Sequence, residues 1–452
     1  MLSLILMGFV SGYGRGEIAL GVCFCRIFRI RRLDSLLWVT LAYLFLARPF
    51  LGFVPTHWPD ADMVLTARYG ECHLTDPSVK YFGLLARCLL AYLLFLALRK
   101  LPMAPKLLMV HLATFGLILI SPLFFNSGPL AASVTMYGLM SFCWYLPILA
   151  YLLVDYSQCQ PGRFFTLYLM PFFETSPNPQ PVLDLPCQDD DERLLVRRSL
   201  QLSLIFSAVI ALTNLVQAVL FHSRFYGHAL RIPWAPIPDL SVTGLTQSVL
   251  DLYPRWQVLL AVLWGGLHRV TGYMVLGVFI ECCRLMLGYD VPRRFTSPWK
   301  ANSFGEFYRC IMPYYIILMN RFYLQPIYNH LRSHGWGRKW GFEMAVWLSI
   351  FSANFTTHVI KDVQLAGLIG GAEYLWRSLV TDFSYCLVLF ICLRFMGVPK
   401  FLAGRLPTLA KFFFLLCLYS LVILSRTGGI WVSPWLRLRF MAALFLGVDM
   451  GH

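Results

Sequence analysis

The chain has 452 residues, of which 58% are hydrophobic and only 13% are charged, and its formal net charge is +15. A soluble domain carries about a quarter charged residues, so this composition excludes an ordinary soluble protein and indicates that lipid is the main solvent. The basic residues stand in small groups between apolar runs, not in one stripe or tail. That pattern is typical of membrane-protein loops and disfavours nucleic acid as a partner.

Apolar runs recur along the whole chain, and its first residues, MLSLILMGFVSGYG, suit a short membrane-embedded or interfacial segment. A helix needs about 20 predominantly apolar residues to cross the bilayer core. The runs therefore predict an all-α fold, a polytopic transmembrane helical bundle of about 10 or 11 helices with re-entrant segments. The longer runs begin at Leu36, Tyr81, Leu107, Ala132, Leu202, Val258, Met344, Phe383, Phe412 and Trp435.

Two polar stretches interrupt these runs. The first, 176–199, opens with prolines and then reads DDDER, and acids are favoured in a first helical turn, so we predict a solvated loop that feeds a helix from about Glu192. The second, 222–253, contains three prolines in RIPWAPIPD, which forbid a regular helix there and predict a loop or a short re-entrant element. No matching pair of interrupted segments marks the two halves, which disfavours an inverted-repeat transporter.

The 13 cysteines do not indicate a metal site or a disulfide framework. Several lie inside apolar runs, where cysteine acts as a small apolar side chain, and no CxxC pair occurs. We therefore predict no protein-bound metal.

Residues 272–326 combine a membrane helix that ends near Gly288 with a stretch dense in charged and amide side chains, from Lys300 to Arg321. These polar side chains are too many for a lipid-facing helix and suit the wall of a reaction chamber. From Tyr273 to Pro326 the pattern F..PW.A.SF.EF.R followed by NRFYLQP resembles the membrane-bound O-acyltransferase family. The likeness is closest to the bacterial branch that acetylates alginate and cellulose or moves D-alanine onto teichoic acids.

Three further pieces resemble the same family and follow in its order. FTLYLMPFFETSPNPQPV from Phe165 and DDDERLLVRRSLQLSLIFSAV from Asp189 are similar to upstream family segments. Downstream, WLSIFSANFTTHVIKD places His358 where the family keeps its membrane-embedded histidine. The resemblance thus implies a core over 165–362, between N-terminal transmembrane helices in 1–164 and C-terminal ones in 363–452.

This resemblance implies an enzyme that moves an acyl group, in the simplest case acetyl, from a thioester to a hydroxyl of a glycan, lipid or metabolite. The co-substrate would be acyl-coenzyme A or an acyl-carrier protein, with no bound cofactor. The partners would be the lipid bilayer, this donor, the hydroxylated acceptor and a membrane or extracytoplasmic protein. The multi-pass protein would lie in the bacterial inner membrane if the source is prokaryotic and in the endoplasmic reticulum if it is eukaryotic.

Acyl transfer needs a base for the attacking hydroxyl, and a histidine with an ordinary pKa of about 6.5 suits that role. The resemblance assigns this role to His358, with Asn320 as a second catalytic candidate. The candidates for substrate binding are Tyr273, Lys300, Arg309 and Arg321. Two carboxylates are expected in simple pairs three residues apart, Glu306 with Arg309 and Glu281 with Arg284.

The sequence departs from the family at its first catalytic motif. Ile311 and Met312 stand where the acetyltransferase branch has a tryptophan–histidine pair, and Thr357 and Val359 replace the residues that flank the later histidine. If the mechanism holds, His358 works with a substitute. The candidates for that substitute are Asn320, Asn354, His268, His330 and His334. The alternatives are an inactive scaffold or partner subunit with the same fold, or a transporter.

Overall fold

The computed structural model is helical over most of the part of the chain it describes, with a few single positions left out. The described ranges are 1–29, 69–70, 76–101, 109–117, 127–168, 189–221, 224–225, 228–229, 250, 253–289, 297–312, 316, 319–354, 372–399, 406–426 and 432–446. The α-helices are α1 (Leu2–Ser11), α2 (Tyr13–Ile27), α3 (Pro77–Leu98), α4 (Pro129–Asp155), α5 (Pro161–Tyr168), α6 (Asp189–Phe221), α7 (Arg255–Met286), α8 (Phe304–Ile311), α9 (Gln325–Ser333), α10 (Arg338–Asn354), α11 (Ala372–Phe395), α12 (Thr408–Leu424) and α13 (Pro434–Leu446).

Four of these helices contain segments long and apolar enough to cross a membrane. The four segments are Tyr81–Leu98, Glu192–Gln217, Arg255–Met286 and Trp376–Phe395, and shorter apolar stretches occur at Ile18–Ile27 and Thr408–Leu424. About 20 apolar helical residues match the thickness of the hydrocarbon core. The helical, membrane-protein character predicted from composition is therefore supported, and the total of ten or eleven spans stays a prediction.

Local sequence signals explain several helix ends. The prediction of a helix from about Glu192 is confirmed, because α6 begins with the acidic run at Asp189. Helix α3 begins after Asp76, whose carboxylate accepts a hydrogen bond of 2.8 Å from the Ser78 amide, with Pro77 in the first turn. A small departure from the all-α prediction lies at 224–229, where two antiparallel two-residue strands pair, β1 (Arg224–Phe225) with β2 (His228–Ala229).

The chain divides into two compact units, each assembled from three stretches of sequence. The first comprises Met1–Leu200, Ile280–Pro292 and Tyr314–Leu375, and the second comprises Gln201–Phe279, Arg293–Pro313 and Trp376–His452. The predicted boundaries at 164 and 362 are not tested by this division. The candidate site residues fall in both units.

In the first unit, α3 packs closely on α4 through two glycines. A Cβ added at Gly83 would meet the Tyr137 ring at 2.5 Å and the Gly138 amide nitrogen at 3.3 Å. Small residues at such crossings let helix backbones approach in membrane proteins. Near the other end of α3, the rings of Phe95 and Phe164 lie 4.7 Å apart, which joins α5 to the same core.

In the second unit, α7 packs on α12 and α13. Gly266 of α7 lies against Ser420 of α12 so closely that an added Cβ would clash with its hydroxyl. Beside this crossing, a core cluster forms from Val258, Val262, Leu424, Phe440, Ala443 and Leu444. The long helices of this unit are therefore held by apolar packing and by a small-residue contact.

Helix α7 ends on a glycine-centred turn at Gly288, close to the predicted helix end. The Tyr289 amide donates to the Arg284 carbonyl at 3.1 Å and the Gly288 amide to the Leu285 carbonyl at 3.0 Å. Gly288 has φ +87°, as the left-handed position of this capping motif requires.

Replacing Gly288 by alanine is therefore expected to destabilise the protein by about 1–2 kcal/mol, because a Cβ disfavours the left-handed conformation. A matched control is Gly272→Ala in the same helix, where an added Cβ meets nothing within 4 Å. That change should stabilise by up to about 1 kcal/mol. Unfolding free energies of the purified variants in mixed detergent micelles check both signs. Equal effects at the two positions would contradict the role given to Gly288.

Candidate functional site

The predicted general base, His358, lies outside the described residues, as do Thr357 and Val359. In the chain, helix α10 precedes it and ends at Asn354. One face of α10 is anchored in the first unit, since Ala345, Ser349 and Ile350 are buried and the Ser349 hydroxyl donates to the Ala345 carbonyl at 2.5 Å.

The chain that connects α7 to α10 is broken into short pieces. A 3₁₀ turn at Pro298–Lys300 is followed by α8, by a π-helical segment at Met319–Leu324 and then by α9. A plain membrane span of this length would be one continuous helix. The described parts of the segment from 298 to 333 are therefore built differently from the long apolar helix α7 that precedes it.

Helix α8 is fixed at its start by reciprocal hydrogen bonds. The Ser303 hydroxyl accepts from the Glu306 amide at 3.2 Å, and the Glu306 carboxylate accepts from the Asn302 amide at 2.8 Å. This arrangement is similar to a capping box, except that the carboxylate accepts from the amide of Asn302, one residue before the N-cap Ser303. The predicted pair of Glu306 with Arg309 is thus wrong, because the Glu306 carboxylate accepts from the Asn302 amide at the helix start.

Helix α8 turns its aromatic face into the second unit. Phe304, Phe307 and Tyr308 are buried, and the Phe307 ring lies 5.9 Å from that of Phe412. A backbone bridge adds to this, since the Val398 amide donates to the Asn302 carbonyl at 2.9 Å. The helix therefore rests on the start of α12 and on the chain that follows α11.

The two residues that replace the family motif play structural parts. Ile311 is 4% exposed and closes the buried face of α8, and Met312 caps the helix through its amide, which donates to the Tyr308 carbonyl at 2.9 Å. Neither side chain can donate a hydrogen bond or take up a proton.

Lys300 and Arg309, both predicted to bind substrate, are exposed on the second unit. The half-buried Lys411 lies beside them, where its Nζ donates to the Asn302 side-chain oxygen at 3.1 Å. Tyr273, predicted to bind substrate too, is 38% exposed on α7. The structure therefore leaves these predicted side chains open to a charged partner.

Asn320 and Arg321 lie in the π-helical segment of the first unit, and both side chains are exposed. The Arg321 guanidinium lies 5.8 Å from the centre of the Phe322 ring, while Met319, Phe322 and Tyr323 are buried. The segment packs on α9 and α10. Single π-turns occur frequently at functional sites, and here one presents two of the predicted polar residues.

A buried ion pair lies in the first unit, between α6 and α7. Arg198 Nη2 is 2.5 Å from Glu281 Oε1, and the Glu281 side chain is 2% exposed. The Ser199 hydroxyl donates to the Cys282 carbonyl at 2.8 Å beside it. Glu281 therefore bonds an arginine from another helix, which the sequence did not indicate, and its predicted pairing with Arg284 stays a prediction.

A second pair joins α2 to the start of α6, where the Arg26 guanidinium lies against the buried carboxylate of Glu192. Ionised groups buried in a helical membrane protein are costly and are therefore almost always paired. In these two pairs, Glu192 of α6 and Glu281 of α7 each contact an arginine of the first unit.

The second unit holds a further buried polar cluster on α11, α12 and α13. Arg426 Nε donates to Asp382 Oδ1 at 3.0 Å, and the guanidinium lies 5.7 Å from the centre of the Tyr385 ring. The Arg437 guanidinium is 2% exposed and donates to the Thr381 hydroxyl at 2.5 Å. Tyr385 is also near enough to Tyr273 for an electrostatic interaction.

Sequence reasoning missed this second cluster. Asp382 and Arg437 stand next to or inside apolar runs that begin at Phe383 and Trp435, and a charge in that position is the signal that points to a buried partner. Within the ranges that the structure describes, no group of three or more histidine, cysteine, aspartate or glutamate side chains could hold a metal ion.

No protein-family model matches the chain, and no curated protein matches it.

Proposed function

We propose that the chain is an integral, multi-pass membrane O-acyltransferase of the membrane-bound O-acyltransferase type. It would move an acyl group, in the simplest case acetyl, from a coenzyme A or carrier-protein thioester to a hydroxyl of a glycan, lipid or metabolite. The observation that carries the proposal is the interrupted segment from 298 to 333, with its exposed polar side chains between two long helices.

An interrupted segment supports the proposal because of how the bilayer constrains backbone polar groups. Backbone groups without helical partners do not face lipid, and broken helices at membrane depth occur only where protein covers them or where they line a water-filled cavity. The segment also carries amide and cationic side chains at Lys300, Arg309, Asn320 and Arg321, all exposed. Its architecture thus supports the re-entrant, chamber-lining role that the sequence resemblance implies.

In the proposed reaction His358 takes the proton of the acceptor hydroxyl while that oxygen attacks the thioester carbonyl carbon. The C–S bond then breaks, the thiolate leaves and takes up a proton, and the new C–O bond remains. Asn320 is proposed to donate a hydrogen bond to the carbonyl oxygen as negative charge develops there. With Met312 in place of the family's histidine, this donor would come from outside α8.

The cationic residues are proposed to bind the donor. Lys300, Arg309 and Arg321 are all exposed, and guanidinium groups bind phosphate oxygens with two parallel hydrogen bonds. Coenzyme A and phosphopantetheine both present phosphates. Tyr273 is proposed to bind the substrate from α7.

The test is transfer by the full-length protein in proteoliposomes, with acetyl-coenzyme A labelled in the acetyl group and a membrane extract as the source of acceptor. The expected result is a labelled, alkali-sensitive ester and release of the free thiol in equal amounts. Solute flux without any acylated product would replace the proposal with a transporter. Absence of transfer from both coenzyme A and carrier-protein donors would replace it with a scaffold.

A further inference from the structure

The turn between α9 and α10 has the features of a lipid-headgroup site. We propose that residues 332–340, here named the tryptophan–arginine turn, bind the headgroups of anionic phospholipids at the membrane surface. The inference rests on the shape, exposure and charge of this turn and is independent of acyl transfer.

The backbone of the turn is held in one conformation. The Trp336 amide donates to the Leu331 carbonyl at 3.1 Å and the Gly335 amide to the Arg332 carbonyl at 3.2 Å, with Gly335 at φ +84°. Arg332 Nη1 then donates to the Trp336 carbonyl at 2.8 Å. This glycine-centred cap with a side-chain bond across it fixes where the turn presents its side chains.

The two helices that carry the turn are also packed together beneath it. The rings of Tyr328 and Phe342 meet edge to face, with 5.9 Å between their centres. Gly341 lies so close to Trp336 that an added Cβ would be 3.3 Å from the Trp336 Cβ. The packing therefore holds the turn in place, so a ligand binds to a surface that is already formed.

Every residue from 332 to 340 is exposed, which is unusual for a stretch that contains two tryptophans. Trp340 is 73% exposed and Trp336 is 41% exposed. Tryptophan is enriched at membrane–water interfaces, where its ring lies among the headgroups and its N–H stays hydrated. The exposed rings therefore suit the interface better than either water or the hydrocarbon core.

The positive charge of the turn favours anionic lipids. Arg332, Arg338 and Lys339 are exposed cations, and the turn itself contains no acid; the nearest one along α10, Glu343, is half-buried. Anionic leaflets attract such basic groups, by about fivefold in association for each lysine or arginine near the surface. The guanidinium groups of the two arginines match the phosphate oxygens of a headgroup.

The test uses the full-length protein in nanodiscs that contain equal amounts of phosphatidylglycerol and phosphatidylcholine. A photoreactive benzophenone amino acid replaces Trp340, and mass spectrometry of the adducts gives the ratio of anionic to zwitterionic lipid captured. The expected result is an excess of phosphatidylglycerol adducts that grows at low salt. In the same background, Arg332→Gln, Arg338→Gln and Lys339→Gln together should abolish this excess, and Lys339→Gln alone should reduce it by about fivefold.

The matched control neutralises three exposed cations elsewhere, with Lys100→Gln, Arg193→Gln and Arg197→Gln. It changes the net charge by the same amount and should leave the adduct ratio unchanged. An equal fall in both triple variants, or equal capture of the two lipids by the wild-type turn, would overturn the proposal. Capture of a protein in place of lipid in native membranes would also overturn it.

Discussion

Replacing His358 by alanine is expected to lower acyl transfer by about 10²–10⁴-fold, the range that a positioned general base contributes. The loss should appear in kcat more than in the KM for the donor, because in the proposed reaction the imidazole acts on the proton that moves in the transition state and does not hold the thioester. Initial rates in proteoliposomes, with saturating and with limiting acetyl-coenzyme A, separate the two effects.

His334→Ala tests one of the histidines named above as a substitute catalytic partner for His358. The His334 ring is bound to its own helix end, with Nδ1 2.9 Å from the His330 carbonyl oxygen, and it is exposed at the end of α9. Its removal should leave transfer within about twofold of wild type, since surface substitutions of this kind have small effects. Transfer that persists in His358→Ala but fails in His334→Ala would move the base to the other histidine.

Replacing Arg198 by methionine is expected to destabilise the first unit by about 3 kcal/mol. The change leaves the Glu281 carboxylate, 2% exposed, as a buried charge without its arginine, and breaking such a pair costs about 3–5 kcal/mol. We place the effect at the lower end because the Arg198 side chain is 28% exposed in the intact pair. Methionine keeps the apolar stem, so the loss reports the charge and not the packing.

Replacing the acid of the pair should lower the stability of the protein less than replacing the arginine. Glu281→Gln leaves a carbonyl oxygen that still accepts from Arg198, so a loss of about 1 kcal/mol is expected. In the double variant with Arg198→Met, the Glu281 carboxylate no longer remains buried without Arg198, and the protein should be more stable than with Arg198→Met alone. Additive losses in this cycle would show that the two side chains do not interact.

Cys282 offers a local reporter for this cycle, because it follows Glu281 directly and is 0% exposed. Reaction of its thiol with a fluorogenic maleimide during a detergent-unfolding titration measures the opening of this region. Arg197→Met is the matched control on the same helix, since Arg197 is exposed. It should change the unfolding free energy by less than about 0.5 kcal/mol.

Local sequence patterns predict some features of the candidate site and do not predict others. The Ser303 hydroxyl caps α8 by accepting from the Glu306 amide three residues on, so a local rule is enough to find this cap. The short pieces from 298 to 333 were expected only in outline, because polar density indicates an interrupted segment but does not give a π-turn at Met319–Leu324. The position of His358 stays a prediction.

The sequence by itself determined that the protein is helical, with segments long and apolar enough to cross a membrane. It also predicted one helix start near Glu192 and one helix end near Gly288, close to the observed Asp189 and Met286. These features follow from apolar length, charge at a helix start and a left-handed glycine, all of which act within a few residues. Only the tertiary structure decided that Glu281 pairs with Arg198 and that Asp382 pairs with Arg426. The partners are 83 and 44 residues apart in the chain, and which charges meet depends on how whole helices pack, which no local pattern encodes.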